Sequence, residues 1–166
     1  MTEVTHMKIY IMRHGPAEDF AASGHDADRA LTASGRERVR NVAKVLGAHD
    51  EAPKLIVSSP LVRALQTAEI VAAELGIGYV DTNRSLAPGG PSLTFIATLL
   101  REAKKRVMLV GHEPDLSELV SELCGQSFTN MQKAMVVGLL VRQGEHARQR
   151  FILDPKSLTI ERLESV

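Results

Sequence analysis

Residues 106–114 read RVMLVGHEP, a short apolar run that gives way to glycine, histidine, glutamate and proline. The run suits a strand buried on both faces, and Pro114 suits the first turn of a helix. The stretch therefore predicts a strand that feeds a helix through a loop carrying His112. The same design recurs at residues 8–15, KIYIMRHG, where a β-branched run enters Arg13-His14-Gly15. It recurs again at residues 55–63, LIVSSPLVR, where LIVS enters Ser59-Pro60 and Arg63 falls on the first turn that follows. Strands alternating with helices are the mark of an α/β sheet.

Amphipathic segments fill the gaps. Thr32 is a natural N-cap for a helix carrying Val39, Val42, Ala43 and Leu46 on one face, and Gly47 is its expected stop. Ser59 and Pro60 read as cap and first residue of a second helix, with Leu61, Leu65, Ala68, Ala72 and Leu75 as its stripe and Gly76 as its end. Residues 77–80 read as a short strand, and PGGP at 88–91 as a turn before a third helix through Phe95, Ile96, Leu99, Leu100 and Ala103. A fourth helix starts at Pro114, carries Leu116, Leu119, Val120 and Leu123, and stops at Gly125. Residues 135–141 and 150–153 then read as a C-terminal antiparallel hairpin around Gly144. The expected architecture is α/β, a mostly parallel central sheet ending in that hairpin, with residues 1–166 as one domain.

Composition narrows the function. Twenty Lys and Arg balance twenty Asp and Glu in 166 residues, which argues against nucleic acid or an anionic membrane as a broad electrostatic partner. The single cysteine, Cys124, excludes an internal disulfide framework and reads as a core residue. No apolar run approaches a membrane span, and residues 1–7 lack a signal-peptide pattern, so the expected location is the cytoplasm.

The unusual polar residues sit where the predicted strands end, the edge at which ligands enter an open α/β sheet. If the strands are parallel, Arg13, Arg63, His14 and His112 meet beside helix N-termini that favour negative charge. A phosphoryl group fits that setting. Two guanidinium groups bind phosphate oxygens through paired N–H donors, and Gly15 and Gly111 allow close backbone approach to a substrate. A neutral imidazole can attack phosphorus, and a second one, His112, held protonated by the phosphate, adds charge where the transition state gains from it.

Each residue also has a plainer reading. A histidine at a strand end is commonly structural, and Arg63 can pair with Glu69 or Glu74 on its own helix. The concurrence of four suitable residues at three junctions favours the functional reading. His112-Glu113 does not begin a zinc helix, because Pro114 and Asp115 follow and no second histidine is suitably placed. His6, His25, His49 and His146 likewise lack partners at a ligand spacing, so no metal site is expected.

On these residues the chain resembles the histidine phosphatase superfamily, with its phosphoglycerate mutase-like fold, and within it the short SixA-type phosphohistidine phosphatases. The likeness rests on Met12-Arg13-His14-Gly15, on Asp28-Arg29-Ala30-Leu31-Thr32 with Gly35, on Ser58-Ser59-Pro60 with Arg63, Ala64, Gln66, Thr67 and Ala68, and on Gly111-His112-Glu113-Pro114 with Leu116. It implies a three-layer α/β/α sandwich, no metal or other cofactor, His14 as the phosphorylated nucleophile, and Arg13, Arg63 and His112 as the phosphate pocket. Mutases and many phosphomonoesterases of this fold carry a glutamate that protonates the leaving alcohol. The corresponding stretch here, residues 84–89, is RSLAPG and has no carboxylate.

An alkoxide leaves poorly without a proton, whereas the imidazole of phosphohistidine departs as a neutral ring if its other nitrogen keeps a proton. The expected substrate is therefore a phosphohistidine on another protein, such as a histidine phosphotransfer domain, and the chain is expected to be a monomer. Glu113 is the alternative acid, as in the acid phosphatase branch, and would serve a phosphomonoesterase acting on a small metabolite. Its preferred reading is a carboxylate favoured by the dipole of the helix that follows. Glu18 and Asp19 are weaker candidates. A binding module that holds a phosphorylated ligand without turnover is the remaining alternative, disfavoured because both His14 and His112 are present.

Overall fold

The structure is a computed structural model and describes residues 5–163. Its elements are β1 (His6–Arg13), α1 (Ala33–Ala48), β2 (Leu55–Ser58), α2 (Val62–Leu75), β3 (Asp81–Thr82), α3 (Ser92–Arg101), β4 (Arg106–Gly111), α4 (Asp115–Cys124), β5 (Val136–Arg142), β6 (Arg148–Leu153) and β7 (Ile160–Arg162). Short 3₁₀ turns cover Asp26–Asp28 and Arg84–Leu86.

One seven-stranded sheet has the order β3-β2-β4-β1-β5-β6-β7. The first four strands in that order are parallel, and β5, β6 and β7 continue it antiparallel. The sheet is thus mixed, and its antiparallel part exceeds the expected hairpin by β7. That strand has three residues, two of them exposed, so it carries no readable alternation.

Alternate residues of each central strand face opposite layers, as the pleat requires. Ile9, Ile11, Val107 and Leu109 pack with Ile96, Leu99, Leu116 and Leu119 from α3 and α4. Tyr10, Met12, Met108 and Val110 pack with Val39, Val42, Ala68 and Val71 from α1 and α2. The result is the α/β/α sandwich. No helix among the described residues is long and apolar enough to cross a membrane.

Three helix ends follow their expected caps. Thr32 Oγ1 accepts from Gly35 N at 2.9 Å, and Gly76 and Gly125 close α2 and α4 in the left-handed conformation. Gly47, however, lies inside α1, and Asp50 adopts the left-handed turn beyond it, at φ 55°. Ser59 and Pro60 precede α2, whose N-cap is Leu61. Residues 77–80 form no strand, and β3 follows them as a two-residue edge.

A charge cluster around one buried carboxylate joins the two halves of the sheet. Glu51, 3 % exposed, accepts from Tyr10 Oη at 2.8 Å, from Arg150 Nη2 at 2.5 Å and from Arg162 Nη1 at 3.2 Å. Arg106 Nη2 donates to Tyr10 Oη at 3.0 Å. The carboxylate thus ties β1 to β6 and β7 through groups that no local sequence pattern links.

Candidate active site

The sheet order places β4 between β1 and β2, so the loops leaving these three strands converge. His14 N donates to Gly111 O at 3.1 Å, and Ser59 N donates to Val110 O at 3.0 Å, which stitches the strand ends together. His14 and His112 then stand with ring centroids 5.3 Å apart. Both are buried, as is Arg63, and Arg13 is half-buried beside them.

His14 Nδ1 lies 2.8 Å from Gly15 O, a group that can only accept. Nδ1 must therefore carry the proton, which leaves a lone pair on Nε2. His112 Nε2 lies 2.8 Å from Ser59 Oγ, and that hydroxyl also accepts from Leu61 N at 3.2 Å. The hydroxyl can donate to Nε2 or accept from it, so either tautomer of neutral His112 satisfies this contact. His112 Nδ1, Arg13 Nε and Arg63 Nε are buried without a hydrogen-bond partner. Buried donors cost free energy until they find an acceptor, and the oxygens of a phosphoryl group supply several at once.

Burial, together with His112, Arg63 and Arg13 nearby, lowers the His14 pKa to about 3, against a smaller raising effect of the Gly15 hydrogen bond. Burial and Arg63 likewise lower His112 to about 4. At neutral pH both rings are neutral without ligand, so His112 gains its charge only if an anion arrives. Burial also lowers the Arg13 pKa, partly offset by Glu113, and Arg13 Nη1 donates to Met131 O at 3.0 Å.

Arg63 does not pair with Glu69 or Glu74. Its Nη1 donates to Asp26 O at 3.0 Å and its Nη2 to Asp26 Oδ2 at 3.2 Å, so the guanidinium is fixed by the 3₁₀ turn before α1. Thr67 Oγ1 donates to Arg63 O at 2.8 Å and accepts from Gly15 N at 3.0 Å, linking α2 to the loop after β1. Ser59, Thr67 and Asp26 were not among the expected site residues. Ser59 and Thr67 belong to a readable segment, whereas Asp26 lies in a loop with no periodicity.

The two glycines also answer to packing. A Cβ on Gly15 would meet Val39 Cγ2 at 2.6 Å, and its N–H is taken by Thr67. A Cβ on Gly111 would meet Leu116 Cδ2 at 3.2 Å and Leu86 O at 3.5 Å. Helices and loops close on both positions, which favours a residue without a Cβ at each.

Glu113 is likewise engaged by the protein. Its Oε1 accepts from Ser117 N at 2.8 Å and its Oε2 from Ser117 Oγ at 2.6 Å, so it covers the N-terminus of α4. Glu18 and Asp19 are exposed. Residues 84–87 lie at the same sheet edge, with buried Leu86 against Gly111. Among the described residues, no group of three or more His, Cys, Asp or Glu is placed to hold a metal ion.

The sequence profile of the histidine phosphatase superfamily (branch 1) matches residues 9–86. An uncharacterised protein of Picosynechococcus sp. is 43% identical over 80% of this chain and 84% of its own length. The phosphohistidine phosphatase SixA of Escherichia coli is 33% identical over 71% of this chain and 74% of its own length. The solved structure of the protein histidine phosphatase SixA complexed with tungstate superimposes with a TM-score of 0.85 at 26% identity, covering 92% of this chain and all of that one. Profile, relatives and fold agree with the arrangement at the ends of β1, β2 and β4: the chain is a SixA homologue and belongs to the histidine phosphatase superfamily, branch 1.

Proposed function

We propose that this phosphatase hydrolyses phosphohistidine on another protein, in the cytoplasm and without a metal, with a histidine phosphotransfer domain as the type of partner. Nε2 of His14 attacks phosphorus in line while Arg13, Arg63 and His112 hold the oxygens. The P–N bond of the substrate breaks, its electron pair returns to the ring nitrogen, and the imidazole leaves neutral because its other nitrogen keeps a proton. Water then attacks phospho-His14, releasing orthophosphate and the free ring.

The observation that carries this reading is the state of Glu113. Both of its oxygens are bonded to Ser117, and residues 84–89 offer no carboxylate, so neither position at which an acid was expected holds one free to protonate an alkoxide. A P–N substrate does not need one. The kinship with SixA supports the same substrate class, and SixA itself binds tungstate, an oxyanion shaped like phosphate.

The test compares phosphate release from a phosphorylated histidine phosphotransfer domain with release from a panel of phosphomonoesters, while trapping acid-labile phosphate on the enzyme. Phosphohistidine should be the preferred substrate by at least about 100-fold in kcat/KM, the scale of general acid catalysis that the site lacks. Preference for a metabolite ester would overturn the reading. Binding without phosphate release would also overturn it.

A further inference from the structure

The site contains one feature that a phosphate clamp does not call for. Asp26 puts a carboxylate directly on the clamp, with Oδ2 3.2 Å from Arg63 Nη2. Its Oδ1 accepts from Arg29 Nε at 2.9 Å, and Arg29 Nη1 is itself bonded to Glu18 O at 3.0 Å. The side chain is 67 % exposed, so it stands in solvent against the buried Arg63. It is also close enough to His112 to favour charge on that ring.

A carboxylate in this place opposes an incoming phosphate and withdraws donor capacity from Arg63. It is not needed to hold Arg63, because the Asp26 main-chain oxygen already takes Nη1 at 3.0 Å. It is no proton donor either. The hydrogen bond from Arg29, with Arg63 beside it, holds the Asp26 carboxyl below the usual carboxylate range. Each of its oxygens meets one arginine and keeps acceptor capacity towards solvent, which complements a cation carried next to the phosphoryl group.

Resting on the phosphohistidine reading, we propose that Asp26 recognises the protonated imidazole of the substrate, accepting the N–H of the nitrogen that does not carry phosphorus. The phosphoryl oxygens go to Arg13, Arg63 and His112, and the ring goes to Asp26. When the P–N bond breaks, its electrons return to the phosphorylated nitrogen and the proton facing Asp26 stays on the ring. The leaving group is then neutral without a proton from the enzyme. Asp26 thereby takes the place of the missing acid, by keeping a proton on the substrate instead of delivering one. Alkyl and aryl phosphates have no such N–H and gain nothing from it.

The experiment uses Asp26→Asn in the full chain, with two substrates: a phosphorylated histidine phosphotransfer domain and p-nitrophenyl phosphate, whose phenolate leaves without an acid. Asparagine keeps the shape and the main-chain bond to Arg63 but loses the charge. The ratio of kcat/KM for phosphohistidine to that for p-nitrophenyl phosphate should fall about 10- to 100-fold, the scale of one charge-assisted hydrogen bond. Asp26→Glu should recover part of the ratio. Orthovanadate titration checks that the variant folds and its clamp still binds an oxyanion. An unchanged ratio, whether both rates hold or both fall together, overturns the proposal and leaves Asp26 as a support for Arg63. If the unaltered protein hydrolyses p-nitrophenyl phosphate but not phosphohistidine, the substrate reading itself fails, and this assignment fails with it.

Discussion

His14 Nδ1 donates to the carbonyl of the next residue, Gly15, at 2.8 Å, so the ring presents Nε2 and not Nδ1 to the site. The proposed nucleophile is thus oriented by a backbone carbonyl. Phosphate should therefore be trapped on Nε2, and nitrogen–phosphorus coupling in NMR identifies the atom. His14→Ala should remove acid-labile labelling and lower turnover by at least about 1,000-fold. Labelling at Nδ1 would contradict the tautomer.

Arg63 is fixed from two sides, by Asp26 and by the turn of α2 that carries it. A lysine cannot reproduce the planar fork, so Arg63→Lys should lose about 100-fold in kcat/KM and Arg63→Ala about 1,000-fold. Steady-state kinetics with both variants checks the order.

The pH dependence of stability follows from the two buried imidazoles. Their folded pKa values, about 3 for His14 and about 4 for His112, lie below the unfolded value of about 6.5. Below pH about 6.5 the unfolded chain takes up protons that the folded chain refuses, so these residues make the protein less stable as pH falls towards 4. Calorimetric Tm should drop between pH 7 and 5, and the drop should be shallower in His14→Ala. Orthophosphate should also flatten it, since an anion favours the charged rings. A Tm profile identical in the variant would contradict the assignment.

Glu113 and Glu51 should behave in opposite ways. Glu113→Gln keeps an acceptor for Ser117 N, so phosphohistidine turnover should stay within about threefold; a selective loss of phosphomonoester hydrolysis would mark Glu113 as an acid for that chemistry. Glu51→Gln leaves Arg150 and Arg162 facing a neutral group in a buried cluster and should cost about 3 kcal/mol or more in denaturant unfolding.

Gly35 offers a purely steric test. A Cβ there would lie 2.1 Å from Pro16 O, backbone that follows the catalytic loop directly and cannot swing away. Gly35→Ala should therefore destabilise the protein and displace the His14 loop, read as a fall in Tm together with weaker vanadate binding.

What the sequence displays and what it hides divide along physical lines. The junctions after β1, β2 and β4 were legible because buried parallel strands are continuous apolar runs, and because Thr32, Gly76 and Gly125 are chemically apt stops and starts. Those junctions place Arg13, His14, Arg63 and His112 at one edge. Contacts across long separations were not legible. Asp26 reaches Arg63 over 37 residues and Glu51 reaches Arg150 over 99, and neither Asp26 nor Glu51 bears a local pattern. The packing of Val39 against Gly15 was equally hidden. Gly47 looked like a stop because Asp50, a residue that tolerates positive φ, makes the turn instead.

The two outermost strands set a limit on how copies of this protein can join. β3 has two residues and β7 three, so a neighbouring chain that sought to extend the sheet would find only a few unpaired backbone groups on either flank. At the β7 flank, Arg162 is also drawn inward to Glu51. The longest strands, which would be the most adhesive, are all interior. Crowding and concentration therefore meet a sheet with little to offer as a template for growth.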